Sequence, residues 1–171
     1  EKTESGEAVK RSSSIKIPTG KSVGQGYIYK AWGGEISEEF ENGGYARISF
    51  SSQCVGETGI AKVRILNDEE IEKLLEDNPL IRSTLLNGTI ADFSLFVGDK
   101  EVTKLNNTAI IYFNYLRSWV SESEEDFLRI YKWDAEKMEW IPLDSKIDKK
   151  NRMVFVEVNN LSLFALMKET T

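Results

Sequence analysis

The sequence predicts a mainly β fold, an antiparallel β-sandwich of about eight to ten strands with a short helical insertion near Asp68–Leu86. Short segments of alternating apolar and polar residues, separated by turn signals roughly every 8 to 12 residues, predict the sandwich. A change to helical spacing after Asn67 predicts the insertion. The length of 171 residues suits one domain, which we expect over residues 15–171. Glu1–Ser14 is poor in apolar side chains and is expected to be a flexible tail or linker.

Four segments of the first hundred residues continue a period of two that begins at Ile15 and Ile17. Such alternation is typical of strands that bury one face and expose the other. A turn at Gly24–Gly26 is expected to precede the first of them. A fifth segment, residues 109–116, is apolar on both faces and therefore predicts a central strand. The four alternating segments are residues 27–32, 46–50, 61–65 and 91–97.

A helix is predicted to begin behind Asn67, because Glu70 stands at the position that completes a capping box. Ile71, Leu74 and Leu75 follow at helical spacing.

Asn78-Pro79 offers a second helix start, with proline at the first helical position. A second short helical turn is therefore predicted over Leu80–Leu86, ending at Asn87-Gly88.

The last forty or so residues contain four short apolar segments separated by turn-sized polar gaps, a pattern that predicts an antiparallel β-meander. In the first of them, Leu128 and Ile130 share one face while Tyr131 and Trp133 share the other. Both faces are therefore partly apolar, and the outer one must be covered by another element or bind something; we expect coverage. The segments are residues 128–133, 140–143, 153–158 and 161–167.

The composition excludes several kinds of chemistry. The chain has no His, which removes Ser-His-Asp and Cys-His catalysis and the commonest metal ligand. We therefore expect a non-catalytic protein with no metal and no cofactor, and a hydrolase built on two carboxylates stays open as an alternative. The single Cys54 is expected to be buried as a small apolar residue. The acidic run Glu122–Asp126 lacks the pattern of a calcium loop and predicts a flexible connector.

The charge and hydropathy limit the partners. A formal charge of -6 disfavours nucleic acid, and no stretch approaches the ~20 apolar residues that span a bilayer. We expect a protein partner or neighbouring domains of the same polypeptide.

A glycan is the alternative partner, because exposed aromatic side chains can stack on sugar rings. This hypothesis requires Trp32, Tyr131 and Trp133 to form an exposed planar strip. Tyr27, Tyr29 and Trp140 are further aromatic candidates, and burial in a sandwich core is the competing interpretation for all of them.

Two parts of the chain resemble a known β-sandwich module. Residues 33–37, 44–50 and 57–65 read as a Gly-Gly strand, an apolar strand, and an acidic turn into another strand. This order resembles the opening of the sandwich shared by zona-occludens proteins, ankyrins and netrin receptors. The final segments, from Leu128 to Leu166, are similar to the end of such sandwiches in prokaryotic surface proteins.

The resemblance implies a structural or protein-interaction module of a larger extracellular or cell-surface protein. The chain departs from the family at Ser51–Cys54, where a Pro-Gly-Ala turn is usual, and in its helical insertion. Some relatives cleave themselves at a His-Phe-Ser step. This chain has Asn160-Leu-Ser162 there, so without the imidazole we expect no self-cleavage.

Overall fold

The computed structural model describes residues 22–80 and 82–169. These residues form two antiparallel β-sheets with one short α-helix, which confirms the predicted sandwich class. The expected tail Glu1–Ser14 lies outside the described residues.

Twelve strands are present in the described part of the chain, more than the eight to ten predicted. Two of them, β6 and β10, are two and three residues long and too short to leave a periodic pattern. The strands are β1 (Ser22–Ile28), β2 (Gly34–Glu39), β3 (Tyr45–Phe50), β4 (Gly59–Ile65), β5 (Ser83–Val97), β6 (Lys100–Glu101), β7 (Lys104–Asn114), β8 (Leu128–Asp134), β9 (Glu139–Pro142), β10 (Lys146–Asp148), β11 (Met153–Asn160) and β12 (Leu163–Glu169). The helix is α1 (Asp68–Asp77), and two 3₁₀ helices span Arg117–Trp119 and Glu122–Phe127.

One sheet has seven strands, in the order β1-β4-β5-β12-β8-β9 with β6 paired to β5. The other has five strands, in the order β10-β11-β7-β3-β2. The central strand predicted at residues 109–116 is confirmed, since β7 is the middle strand of the five-stranded sheet.

The predicted C-terminal meander is wrong. β8, β9 and β12 belong to the seven-stranded sheet, whereas β10 and β11 belong to the five-stranded sheet. The chain crosses between the sheets after β9 and again after β11, so β12 pairs with β5 and β8 rather than with β11. Alternation along a strand shows which side chains are buried, but it does not show which strand lies alongside.

The main hydrophobic core lies between the sheets. Ile48, Ile111 and Phe113 from the five-stranded sheet face Leu95 and Phe164 from the seven-stranded sheet, and all five are fully buried. In β3 and β7 the buried residues alternate with less buried ones, as the sequence pattern predicts, whereas β12 is buried on both faces.

A second, smaller core lies on the outer face of the seven-stranded sheet, beneath α1. Ile71 of the helix clusters there with Ile90 of β5, with Ala165 and Met167 of β12, and with Tyr131 of β8. On the outer face of β8, where coverage was expected, Tyr131 is buried in this core, whereas Trp133 is only half-buried.

The start of α1 is as predicted. The Asn67 side chain accepts a hydrogen bond from the Glu70 amide at 2.8 Å, and the Glu70 carboxylate accepts one from the Asn67 amide at 3.0 Å. Arg64 of β4 donates to both Glu70 oxygens, at 2.9 and 2.8 Å. This charge-assisted contact of one guanidinium nitrogen with both carboxylate oxygens fixes the beginning of the helix over the sheet.

The second helical turn predicted over Leu80–Leu86 is wrong. β5 begins at Ser83, and Leu85 pairs with Met167 of β12. Asn87 and Gly88, expected to end a helix, instead have φ of 42° and 68° inside β5, where the register with β12 shifts. Asn-Gly favours the left-handed backbone conformation both at the end of a helix and in a β-bulge, and here it forms a β-bulge.

The predicted turn at Gly24–Gly26 lies inside β1 instead. A Cβ atom on Gly24 would come within 2.5 Å of the backbone oxygen of Ser37 in β2. Glycine at this position therefore lets the edges of the two sheets approach closely, and the actual turn follows at residues 29–33.

The acidic run Glu122–Asp126, predicted to be a flexible connector, forms most of a 3₁₀ helix. Glu124 accepts a hydrogen bond from Lys168 of β12 at 2.7 Å, and Asp126 pairs with Lys149 at 2.7 Å. The Tyr115 hydroxyl, just after β7, donates to Glu125. Consecutive acidic residues therefore contact elements of both sheets. The run is an ordered segment that links the two sheets.

Replacing Glu124 with Gln should make the stability of the fold depend less on pH at acid pH. Hydrogen bonds from Lys168 and then Ser121 lower the pKa of Glu124 from 4.5 to about 2. A lowered folded-state pKa stabilises the fold above pH 4.5 and loses that contribution as the pH falls toward 2. Thermal unfolding followed by circular dichroism between these limits should therefore show a smaller loss of Tm in Glu124→Gln.

Glu122→Gln is the matched control, because Glu122 lies in the same 3₁₀ helix and makes no ion pair with the described residues. An equal effect of the two substitutions would contradict the assignment.

Candidate functional site

Large apolar side chains that remain exposed fall into two groups. Among the described residues there are five of them. Tyr27, Tyr29 and Trp32 lie at one end of the seven-stranded sheet, with 48, 42 and 78% exposure. Phe127 and Met138, 39 and 58% exposed, line a groove at the other end. Exposed apolar surface that clusters in this way is a candidate for contact with a partner.

The first group, with its two apolar neighbours, is called the aromatic patch here: Tyr27, Tyr29, Trp32, Ile60 and Phe96. Tyr27 alternates with the buried Ile28 and so projects from the outer face of β1. The strand register places Tyr27 beside Ile60, and Ile60 beside Phe96. Cross-strand neighbours on one face contact each other directly, so the aromatic patch continues across three strands.

The turn between β1 and β2 adds the outermost ring. Tyr29 and Gly33 exchange two backbone hydrogen bonds of 2.9 and 2.7 Å, which close the turn and present Trp32 to solvent. The Trp32 ring lies 5.8 Å from that of Tyr29 at an interplanar angle of 71°, and Tyr29 lies 6.1 Å from Tyr27 at 32°. The rings form a stepped surface, not a flat one.

The second feature is the groove, a cavity of about 850 Å³ on the outer face of β8 and β9. One wall is formed by residues 77–80, 82 and 83, from the end of α1 to the start of β5. The opposite side carries Phe127, Tyr131, Met138 and Trp140. The groove thus begins where α1 ends, over the part of the outer face that the helix leaves open.

The polar groups of the groove are arranged around Glu169. Its carboxylate accepts a hydrogen bond from Arg129 at 2.8 Å and one from the Tyr131 hydroxyl at 3.4 Å. Burial, and then the charge of Glu169, raise the pKa of Tyr131, so its hydroxyl stays a donor. The indole Nε1 of Trp140 is buried and has no acceptor among the described residues.

The three residues proposed to bind a glycan do not come together. Trp32 follows β1, whereas Tyr131 and Trp133 lie on β8, four strand spacings or roughly 19 Å across the sheet. Tyr131 is buried in the outer core. Trp133 packs against Trp140 of the neighbouring strand, with ring centroids 5.4 Å apart.

Sequence reasoning named Tyr27 and Tyr29 beside Trp32, but it missed Phe127 and Met138. Phe127 and Met138 lie in a 3₁₀ helix and a turn, where no periodic pattern marks them. They stand at opposite ends of β8, and both line the groove. Tyr27 and Tyr29 share the spacing of two that puts side chains on one face, and that signal was present in the sequence.

Two other reactive groups have structural partners. Asp92 has a raised pKa, chiefly from burial, and lies 3.7 Å from Arg64, which also holds Glu70. It therefore belongs to the ion-pair cluster at the start of α1. Cys54 is buried as expected, and its Sγ donates to the Thr108 carbonyl at 3.0 Å.

Within the described ranges, no cluster of three or more Cys, Asp or Glu side chains could hold a metal ion, and no helix is long and apolar enough to cross a membrane. No protein-family model matches the chain, and no curated protein sequence matches it. The resemblance to the sandwich of zona-occludens proteins, ankyrins and netrin receptors therefore stays a prediction.

Trp32 should be the first tryptophan to react with an aqueous oxidant. The chain has four Trp residues, and the other three are at least partly buried. Limited treatment with N-bromosuccinimide, followed by peptide mapping by mass spectrometry, should find Trp32 oxidised before Trp119, Trp133 and Trp140. Trp32→Phe should remove the fast step and leave the order of the others unchanged. First reaction at Trp133 or Trp140 would show that the aromatic patch is covered.

Proposed function

We propose that the chain is a non-catalytic protein-interaction module whose aromatic patch contacts a protein partner or a neighbouring domain of the same polypeptide. The observation that carries the proposal is the exposure of Trp32, 78%, next to two further exposed aromatic rings.

The energetics of protein contact favour this patch. Trp and Tyr are enriched among the few interface residues that supply most of the binding free energy, each contributing on the order of 2 kcal/mol or more. Leaving such side chains in water is unfavourable for an isolated domain, and the main core does not need them because Ile28 fills the inward position next to Tyr27. The three exposed rings of the patch therefore have surface to bury, whereas Ile60 and Phe96 are already half-buried and the Lys62 ammonium lies over the Phe96 ring.

Binding of a glycan is the second candidate, since exposed rings are also how proteins hold sugars. The 71° angle between Tyr29 and Trp32 turns the edge of one ring to the face of the other. Two rings in this arrangement cannot lie flat on one extended sugar chain, whereas a stepped surface can receive irregular protein side chains. This geometry favours the protein partner.

A location outside the cell, as a piece of a larger secreted or surface protein, belongs to the same proposal. It rests on the resemblance of the strand segments to prokaryotic surface modules.

A photo-crosslinker at position 32 tests the proposed contact. The polypeptide that contains this chain would be expressed in its source cells with p-benzoylphenylalanine in place of Trp32. Irradiation should yield a discrete crosslink to one protein or to one neighbouring domain, identified by mass spectrometry. The matched control places the same group at Glu157, which is exposed on β11 of the other sheet and should give no discrete product.

The glycan alternative is tested with the same chain. Retention on insoluble polysaccharides that is abolished by Trp32→Ala would replace the protein-contact proposal. Equal crosslinking from positions 32 and 157 would also contradict it.

A further inference from the structure

We infer that the groove is a second binding site, which receives a segment of a partner protein that presents a Lys or Arg beside large apolar side chains. This inference is independent of the aromatic patch, because the two surfaces lie at opposite ends of the seven-stranded sheet.

The floor of the groove is apolar and open. Met138 and Phe127 are exposed there, beside the half-buried Trp140 and the ring edge of Tyr131. A cavity of about 850 Å³ is in the size range of pockets that hold several side chains. Large apolar groups of a partner would remove this surface from water.

The charges along the groove select the partner. Asp77, Glu139 and Glu169 line it, and the Arg82 guanidinium is the cation among its described lining residues. Glu169 is neutralised by Arg129 at 2.8 Å. Asp77 and Glu139 are exposed and form no ion pair with the described residues, so the rim carries an excess of negative charge.

The end of α1 strengthens this negative potential. The last turn of a helix carries a partial negative charge from its free carbonyl groups, and basic side chains usually compensate it. The last turn of α1 has no basic residue and ends instead in Glu76 and Asp77. Placing acids where a helix disfavours them has a stability cost, and a cationic side chain of a partner would offset it.

Apolar contact and the negative rim together fit a basic, apolar peptide segment better than an acidic one.

Two labelled peptides test the inference. Fluorescein-Gly-Ile-Lys-Ile-Lys-Ile-Gly and its counterpart with Glu in place of Lys would be titrated with the folded chain by fluorescence polarisation. The Lys peptide should bind, the Glu peptide should bind at least about tenfold more weakly, and the affinity for the Lys peptide should fall as salt rises to about 0.5 M.

Variants then locate the site. Asp77→Asn combined with Glu139→Gln should lower the affinity for the Lys peptide by about threefold to tenfold, as expected for exposed charge pairs. Met138→Ser should lower the affinity for both peptides. Glu136→Gln, an exposed acid in the turn that leads into β9, is the matched control and should change nothing. The altered side chains are exposed, so the circular dichroism spectrum should be unaffected.

Trp32→Ala should leave this binding unchanged, which separates the groove from the aromatic patch. Equal binding of the two peptides, unaltered binding in the Asp77/Glu139 double variant, or no binding of the Lys peptide at millimolar concentration would overturn the inference.

Discussion

The double-sided burial of β12 is the constraint on which the other features depend. Phe164 and Leu166 face the main core, Ala165 and Met167 face outward, and all four are completely buried. A strand that is apolar on both faces needs a layer on each side, because an exposed outer face would leave a continuous apolar surface in water. The five-stranded sheet provides the inner layer, and α1 with the following segment provides the outer one. The insertion between β4 and β5 is thus a structural necessity of the sheet and not an appendage.

The extent of that outer layer determines which parts of the outer face stay exposed. The side chains that cluster with Ile71 of α1 come from β5, β8 and β12, around Ile90 and Met167. Both ends of the outer face are left open. One end shows the stepped rings of Tyr27, Tyr29 and Trp32, and the other shows the acidic groove. Two contact surfaces on one face would allow the module to hold two neighbours at once.

The sequence predicted local structure well and spatial arrangement poorly, for physical reasons. The capping box at Asn67 and the alternation of buried and exposed residues in β3, β4 and β7 depend only on residues that are close together in the chain. The sequence could therefore predict them. The prediction of a second helical turn was wrong because Asn87-Gly88 suits a β-bulge as well as a helix end. The prediction of a C-terminal meander was wrong because the alternation of apolar and polar residues along a strand does not show which strands pair. Trp32, Tyr27 and Tyr29 were recognisable as candidates from the sequence. The extension of the aromatic patch to Ile60 and Phe96 comes from the register of β1, β4 and β5, and the groove is assembled from four separate segments.

Methionine oxidation tests the two-layered environment of β12 most directly. The chain has three Met residues, of which Met138 is exposed, Met153 is half-buried on the other sheet, and Met167 is buried beneath α1. Peroxide should oxidise Met138 first and Met167 last, and Ile71→Asp, which drives α1 off the sheet, should accelerate Met167 while leaving Met153 unchanged. If Met153 accelerates as well, the milder Ile71→Ala separates loss of the helix from global unfolding. Oxidation of Met167 as fast as Met138 in the unaltered chain, or no response of Met167 to either substitution, would contradict the account.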